Sequence, residues 1–178
     1  RSARSAFGPP MRPSAAAVVS RTAVRSSSRY GAMVDAASWP NPVASASIAA
    51  GDLNADGHAD LVTTEGRGLV VFLGNGDGTF RRGADYLGWQ TIKHLGVGDV
   101  NADGRRDVVF VPDGWTPTSS DSLLAVLVGR GDGTFSVGDE VALDAAPRTM
   151  VLADVNRDGA TDALVGDENY AEVSVFLG

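Results

Sequence analysis

One nine-residue loop, present three times, limits what this chain can fold into. The copies are Asp52-Leu53-Asn54-Ala55-Asp56-Gly57-His58-Ala59-Asp60, Asp99-Val100-Asn101-Ala102-Asp103-Gly104-Arg105-Arg106-Asp107 and Asp154-Val155-Asn156-Arg157-Asp158-Gly159-Ala160-Thr161-Asp162. Each reads D-x-N-x-D-G-x-x-D, with side-chain oxygens at positions 1, 3, 5 and 9 and glycine at 6. Such a loop can wrap a hard cation. Calcium takes roughly 6–8 oxygen ligands at about 2.3–2.6 Å. Glycine at 6 tolerates the positive φ of a sharp turn. Position 7 is His58, Arg105 or Ala160, side chains with nothing in common, as expected of a residue that offers only its backbone carbonyl.

The expected calcium ligands are therefore Asp52, Asn54, Asp56, His58 (carbonyl) and Asp60 in the first loop. In the second they are Asp99, Asn101, Asp103, Arg105 (carbonyl) and Asp107, and in the third Asp154, Asn156, Asp158, Ala160 (carbonyl) and Asp162. About three Ca2+ ions per chain are expected. Three carboxylates in one loop repel each other when uncompensated, so the ions are expected to stabilise the fold by binding linkage. The competing reading is a solvated Asp/Asn/Gly turn; three copies in register argue against it. An EF-hand would place Glu at position 12, where this chain has Thr63, Phe110 and Val165. Short apolar runs follow each loop and read as strands, so no exiting helix is expected.

The repeat extends beyond the loop. In the first unit Ile48–Gly51 precede it; Leu61–Thr64, Leu69–Gly74 and the turn Asn75-Gly76-Asp77-Gly78-Thr79-Phe80 follow. The second unit repeats this through Leu95–Gly98, Val108–Val111, Leu123–Gly129 and Arg130-Gly131-Asp132-Gly133-Thr134-Phe135. The third runs from Met150 through Ala163–Val165 to Val173–Gly178. The second unit is longer by the Pro/Ser/Thr-rich stretch 112–122, which reads as a surface excursion. A period of this size with about four short strands per unit predicts an all-β fold of β-propeller blades. The G-x-G-D-G-T-F segments read as tight hairpins ending in a packing Phe, so Asp77 and Asp132 are left out of the ligand set. Arg130-Gly131-Asp132 is read in the same way, as turn chemistry.

The segments GDLNADGHADLV…VVFLGNGDGTF and GDVNADGRRDVVFV…LAVLVGRGDGTF resemble FG-GAP/VCBS-type repeats. These are the blade repeats of integrin α-subunit propellers and of many bacterial surface or secreted proteins. The resemblance covers roughly residues 43–178, in repeats of about 43–88, 89–145 and 146–178. It implies a calcium-binding β-propeller, usually of seven blades, acting outside the cell in adhesion or ligand recognition, and it places calcium ligands on the same fifteen residues. Three units do not close a seven-bladed ring. The expectation is a piece of a longer propeller, partnered by further blades of the full-length chain; the alternative is three blades that assemble with other copies.

Residues 1–42 fall outside the repeat and read as a disordered leader or linker rich in Ser, Ala, Arg and Pro. Residues 1–30 carry six Arg and no acid, whereas 31–178 carry nine basic and 22 acidic residues. Nine of those acids sit in the loops. The acidic body argues against nucleic acid as partner, and no apolar run reaches the ~20 residues of a membrane span. Cysteine is absent, which excludes disulfides and thiolate chemistry. An extracellular, periplasmic or cell-surface location is expected, where millimolar calcium fills moderate-affinity sites.

No catalytic residue is expected. His58 and His94 lack a Ser or Cys partner in a recognisable triad, and a calcium-bound carboxylate is a poor general base. Trp39, Trp89 and Trp115 could stack on sugar rings, although core or blade-edge packing is the plainer reading. The expected role is a non-enzymatic binding module with a protein or carbohydrate ligand. The alternatives are a propeller segment of a larger secreted hydrolase or lyase, and a lectin-like propeller.

Overall fold

The computed structural model describes residues 47–66, 68–88, 91–113, 122–143, 147–167 and 172–178. Residues 1–42, Trp39, Trp89, Trp115 and most of the 112–122 excursion lie outside them. Eleven strands and no helix occur among the described residues. They are β1 (Ile48–Gly51), β2 (Asp60–Thr64), β3 (Gly68–Gly74), β4 (Phe80–Leu87), β5 (Thr91–Gly98), β6 (Asp107–Asp113), β7 (Ser122–Gly129), β8 (Phe135–Leu143), β9 (Pro147–Ala153), β10 (Asp162–Asp167) and β11 (Val173–Phe176). No described helix could cross a membrane.

The strands form three antiparallel sheets, ordered β1-β2-β3-β4, β5-β6-β7-β8 and β11-β10-β9. Each sheet is a meander in sequence order, because the connections are short enough to bring consecutive strands side by side. The nine-residue loop joins the first strand of each sheet to the second, and the G-x-G-D-G-T turn joins the third to the fourth in the first two sheets. The residues after each loop are strands, β2, β6 and β10, as the β-branched runs predicted and as an EF-hand would not allow.

Alternation along the second strands divides the interior in two. In β6, Val108 and Phe110 pack with Val62, Leu69, Val71, Leu73 and Tyr86 of the first sheet. Val109 and Val111, pointing the other way, pack with Ala163 and Val165 of the third sheet. Successive residues of a strand point to opposite faces, so an unbroken apolar run suits a sheet covered on both sides. The middle sheet is in that position: Val108, Val109, Phe110 and Val111 are all essentially inaccessible. Burying such a side chain contributes roughly 1.5–3 kcal/mol, so these four residues anchor both interfaces. The outer strands β4 and β8 are more polar and more exposed.

The first strands of adjacent sheets approach closely. A Cβ on Gly51 would fall 2.7 Å from Val97 Cγ1, and one on Gly98 would fall 2.7 Å from Thr161 Cγ2. The glycine before the first loop thus makes room for β5 of the second sheet, and the glycine before the second loop makes room for the third loop.

Candidate functional site: three equivalent acidic loops

The three loops fold alike because each places its acceptors on its own amides. In the first, Asp52 Oδ1 accepts from Asp56 N (3.2 Å) and Oδ2 from Gly57 N (2.9 Å). In the second, Asp99 accepts from Asp103 N (3.0 Å) and Gly104 N (2.8 Å). In the third, Asp154 accepts from Arg157 N (2.6 Å) and Gly159 N (3.1 Å), one residue earlier on the first bond. The Asn Oδ1 at position 3 accepts from the position-5 amide at 3.0 Å in all three. Its Nδ2 donates to the position-5 carboxylate at 2.8, 3.1 and 2.6 Å. The position-5 carboxylate also accepts from the position-7 amide at 2.8–2.9 Å.

Two positions per loop lie in the left-handed region. Position 6 is the expected glycine, with φ of 82° at Gly57, 82° at Gly104 and 97° at Gly159. Position 4 is not glycine: Ala55, Ala102 and Arg157 have φ of 59°, 55° and 64°. These are the only non-glycine residues with positive φ among those described. Each such residue costs on the order of 1–3 kcal/mol, so the strain recurs at one site and the hydrogen-bonded side chains of positions 1, 3 and 5 hold it.

The Asp at position 9 stands apart. Asp60, Asp107 and Asp162 are fully buried, whereas position 5 is exposed. Their Oδ2 atoms accept from Leu53 N (2.9 Å), Val100 N (2.9 Å) and Val155 N (2.8 Å) of their own loops. Their Oδ1 atoms accept from Gly74 N (2.7 Å), Gly129 N (2.8 Å) and Gly178 N (3.0 Å), each following or ending the third strand of its sheet. Position 9 therefore ties the loop to the end of the third strand, a structural role that the ligand pattern did not disclose.

Position 7 also does more than the sequence reading allowed. The His58 ring lies over Gly76, where a Cβ would meet it at 2.5 Å, and Arg105 Cδ lies over Gly131 at 3.0 Å from such a Cβ. Arg105 further pairs with Asp103 (Nη2 to Oδ2, 2.7 Å) and donates from Nε to the Gly129 carbonyl (3.1 Å). The position-7 side chains of the first two loops thus pack on the adjoining hairpin. That hairpin has the expected form: Asn75 N donates to Thr79 O, and Arg130 N to Thr134 O, both at 2.9 Å. Asp77 and Asp132 each accept from the amide and hydroxyl of the Thr two residues on, so they serve the turn.

Adjacent units are joined through these same segments. Thr161 N of the third loop donates to the carbonyl of Asp99, position 1 of the second, at 2.7 Å. Gly133 N of the second unit's hairpin donates to Leu53 O of the first loop at 3.0 Å. His94 lies on β5, the strand that leads into the second loop.

The electrostatics favour ionised carboxylates at position 5 of the first two loops. The amide of His58, then the Asn54 side chain, hold Asp56 below the usual carboxylate range, and the amide of Arg105 does the same for Asp103. The amides of Gly178 and Val155 also lower Asp162, whereas burial pushes Asp107 up. Among the described residues no three His, Asp or Glu side chains converge as a ready metal cage; the oxygens face loop amides instead. The donor set still fits a hard cation in kind. All its donors are oxygen, and a carboxylate has about four lone-pair sites, so one that accepts two amides retains capacity.

The FG-GAP-like repeat model matches residues 52–110 and 99–165, together more than half of the chain. The chain belongs to the FG-GAP-like repeat family, and its meander sheets are those of a β-propeller-like repeat module. Comparison with curated proteins gives no match.

Proposed function

We propose that this chain is a calcium-stabilised repeat module that recognises an extracellular protein or carbohydrate ligand without catalysing a reaction. The observation that carries the calcium reading is the threefold recurrence of one exposed loop. Each copy holds Asp, Asn and Asp at positions 1, 3 and 5 on a strained turn, with the same hydrogen bonds to within one residue. A simple surface turn has no need of strain at one fixed non-glycine position in three copies.

Asp52, Asn54 and Asp56, with the His58 carbonyl and Asp60, hold the first ion. Asp99, Asn101, Asp103, the Arg105 carbonyl and Asp107 hold the second, and Asp154, Asn156, Asp158, the Ala160 carbonyl and Asp162 the third. The cation supplies positive charge that cancels carboxylate repulsion and locks the loop between the first two strands of its sheet. Sites of this kind fill where calcium is plentiful, which supports action outside the cell, in the periplasm or at the cell surface. Family membership supports a binding role, since FG-GAP-like repeats are generally non-catalytic modules.

Calorimetric titration of the chelator-stripped, full-length chain with calcium tests the proposal. About three ions per chain is the expected stoichiometry, with the thermal midpoint rising as the sites fill. A folded chain that takes up no calcium overturns the metal reading.

A further inference from the structure

The hairpin between β3 and β4 carries Asn75-Gly76, the one Asn-Gly pair in the sequence. Asp-Gly pairs recur among the described residues at Asp56-Gly57, Asp77-Gly78, Asp103-Gly104, Asp132-Gly133 and Asp158-Gly159. In both kinds of pair the glycine amide nitrogen can attack the side-chain carbonyl carbon of the residue before it. Closure needs a nitrogen whose hydrogen is not held by an acceptor, a following residue without a Cβ to obstruct it, and a group that leaves. The fold sorts the pairs by these requirements. In four Asp-Gly pairs the glycine amide is engaged. Gly57 N, Gly104 N and Gly159 N donate to Asp52, Asp99 and Asp154 at 2.9, 2.8 and 3.1 Å, and Gly133 N donates to Leu53 O at 3.0 Å. Asp77 presents a carboxylate, whose charge repels a nucleophile, and the amide and hydroxyl of Thr79 hold it.

Asn75-Gly76 meets all three. Among the described residues no acceptor holds the Gly76 amide, and the residue before it is a neutral carboxamide that can release ammonia. Both residues are exposed. That exposure belongs to the hairpin itself: the second hairpin packs on the first unit through Gly133 and Leu53, and Arg130, the counterpart of Asn75, is exposed all the same. The fold fixes the glycine, since Gly76 has φ of 75° and a Cβ there would meet the His58 ring at 2.5 Å. It does not fix the asparagine. Arg130 N donates to Thr134 O as Asn75 N donates to Thr79 O, both at 2.9 Å. The Asn75 side chain adds only an exposed bond from Nδ2 to Thr79 Oγ1, at 2.9 Å.

We propose that Asn75 is a site of spontaneous deamidation in the folded protein. Gly76 N gives up its proton and bonds to Asn75 Cγ, the Cγ–Nδ2 bond breaks, and ammonia leaves carrying that proton. A five-membered succinimide remains. Water then adds to one of the ring carbonyls and opens the ring, giving aspartate by one C–N cleavage and isoaspartate by the other. Water is the only co-reactant, and nothing is oxidised or reduced. Isoaspartate carries the main chain through Cγ, so it inserts a methylene into the turn between β3 and β4 and leaves a carboxylate beside the hairpin on which His58 packs. The second unit is immune, because Arg130 cannot close such a ring. The reaction is independent of whether the loops hold calcium.

The test holds the full chain for weeks at mildly alkaline pH, folded or in urea, then cleaves it at arginine and maps the peptides by mass spectrometry. Enzymatic methylation reads isoaspartate. In the folded chain the 68–81 peptide is expected to lose its amide, with ammonia released in equal amount, and to become methylated. The peptides with Asp56, Asp103, Asp132 and Asp158 are expected to stay unmethylated until urea frees their glycine amides. Asn75→Arg gives the first hairpin the residue that the second already has, and is expected to abolish methylation of that hairpin in the folded chain. Asn75→Gln, whose longer side chain closes a ring far more slowly, serves if circular dichroism shows that arginine disturbs the fold. An Asn75 amide that survives in the folded chain while it is lost in urea overturns the proposal. So do Asp-Gly pairs that behave alike in both states, or methylation of the first hairpin that persists in a folded variant.

Discussion

The Tyr86 hydroxyl oxygen accepts a hydrogen bond from the backbone amide of Phe135 at 2.7 Å, and their rings meet edge to face at 5.7 Å and 75°. Tyr86 is on β4 of the first sheet and Phe135 opens β8 of the second, 49 residues on. The contact fastens the two outer strands together, next to the hairpin whose Gly133 amide reaches Leu53 of the first loop. Burial pushes the phenol pKa up, so the group stays neutral at physiological pH.

Tyr86→Phe keeps the ring and removes the acceptor, leaving a buried amide unpaired. The expected cost is about 1–3 kcal/mol, seen as a lower thermal midpoint with little change in the circular dichroism spectrum. An unchanged midpoint would mean that the packed rings alone hold the outer strands.

Positions 5 and 9 of the loop differ in what they do for the fold when no ion is present. Asp107→Asn leaves one oxygen for two donor amides, Val100 N and Gly129 N, in a fully buried place. It is expected to destabilise the chain by about 1–3 kcal/mol even in chelator. Asp103→Asn changes an exposed group and is expected to weaken calcium uptake while leaving stability in chelator nearly as it was. Chemical denaturation with and without chelator compares the two; equal losses in chelator would contradict the division of roles.

Arg105 offers its guanidinium to the carboxylate that a cation in the second loop would use, 2.7 Å from Asp103 Oδ2. Exposed pairs of this kind contribute up to about 1 kcal/mol. Arg105→Ala is expected to tighten calcium at that loop by as much as roughly fivefold, in a titration that resolves the sites. Weaker binding would assign the arginine a supporting role through its bond to the Gly129 carbonyl.

Asp132 titrates below its ordinary value of 3.8, chiefly because the Thr134 hydroxyl, then the Thr134 amide, donate to it. A carboxyl whose folded pKa is depressed adds stability that is present above the unfolded pKa and is lost as pH falls through the folded one. The hairpin is thus expected to loosen only in acid, below the usual carboxylate range. Thr134→Val removes the hydroxyl and keeps the amide, so the Asp132 midpoint, followed by carboxyl-carbon NMR, should rise without reaching that of a free Asp. A midpoint unmoved by the substitution would shift the cause to the backbone.

Much of this protein was legible in its residues. The spacing of Asp, Asn and Gly gave the loops, and the β-branched runs after them gave strands, because turn chemistry and two-residue periodicity are local. The hairpins at Asp77 and Asp132 were legible for the same reason. The strain at Ala55, Ala102 and Arg157 was not, since none of these residue types signals a left-handed backbone; only the shared position-4 register, once seen folded, reveals it.

What the sequence alone determined is therefore the repeat, the order of its strands and the family it belongs to. The tertiary structure decided how the units divide the work. It sent Val108 and Phe110 to one neighbour and Val109 and Val111 to the other, and it buried Asp60, Asp107 and Asp162 as ties to glycines 14 to 22 residues away. The reason is physical: a side chain's type limits which bonds it can make, but the partner across a sheet interface exists only once distant segments of the chain have come together.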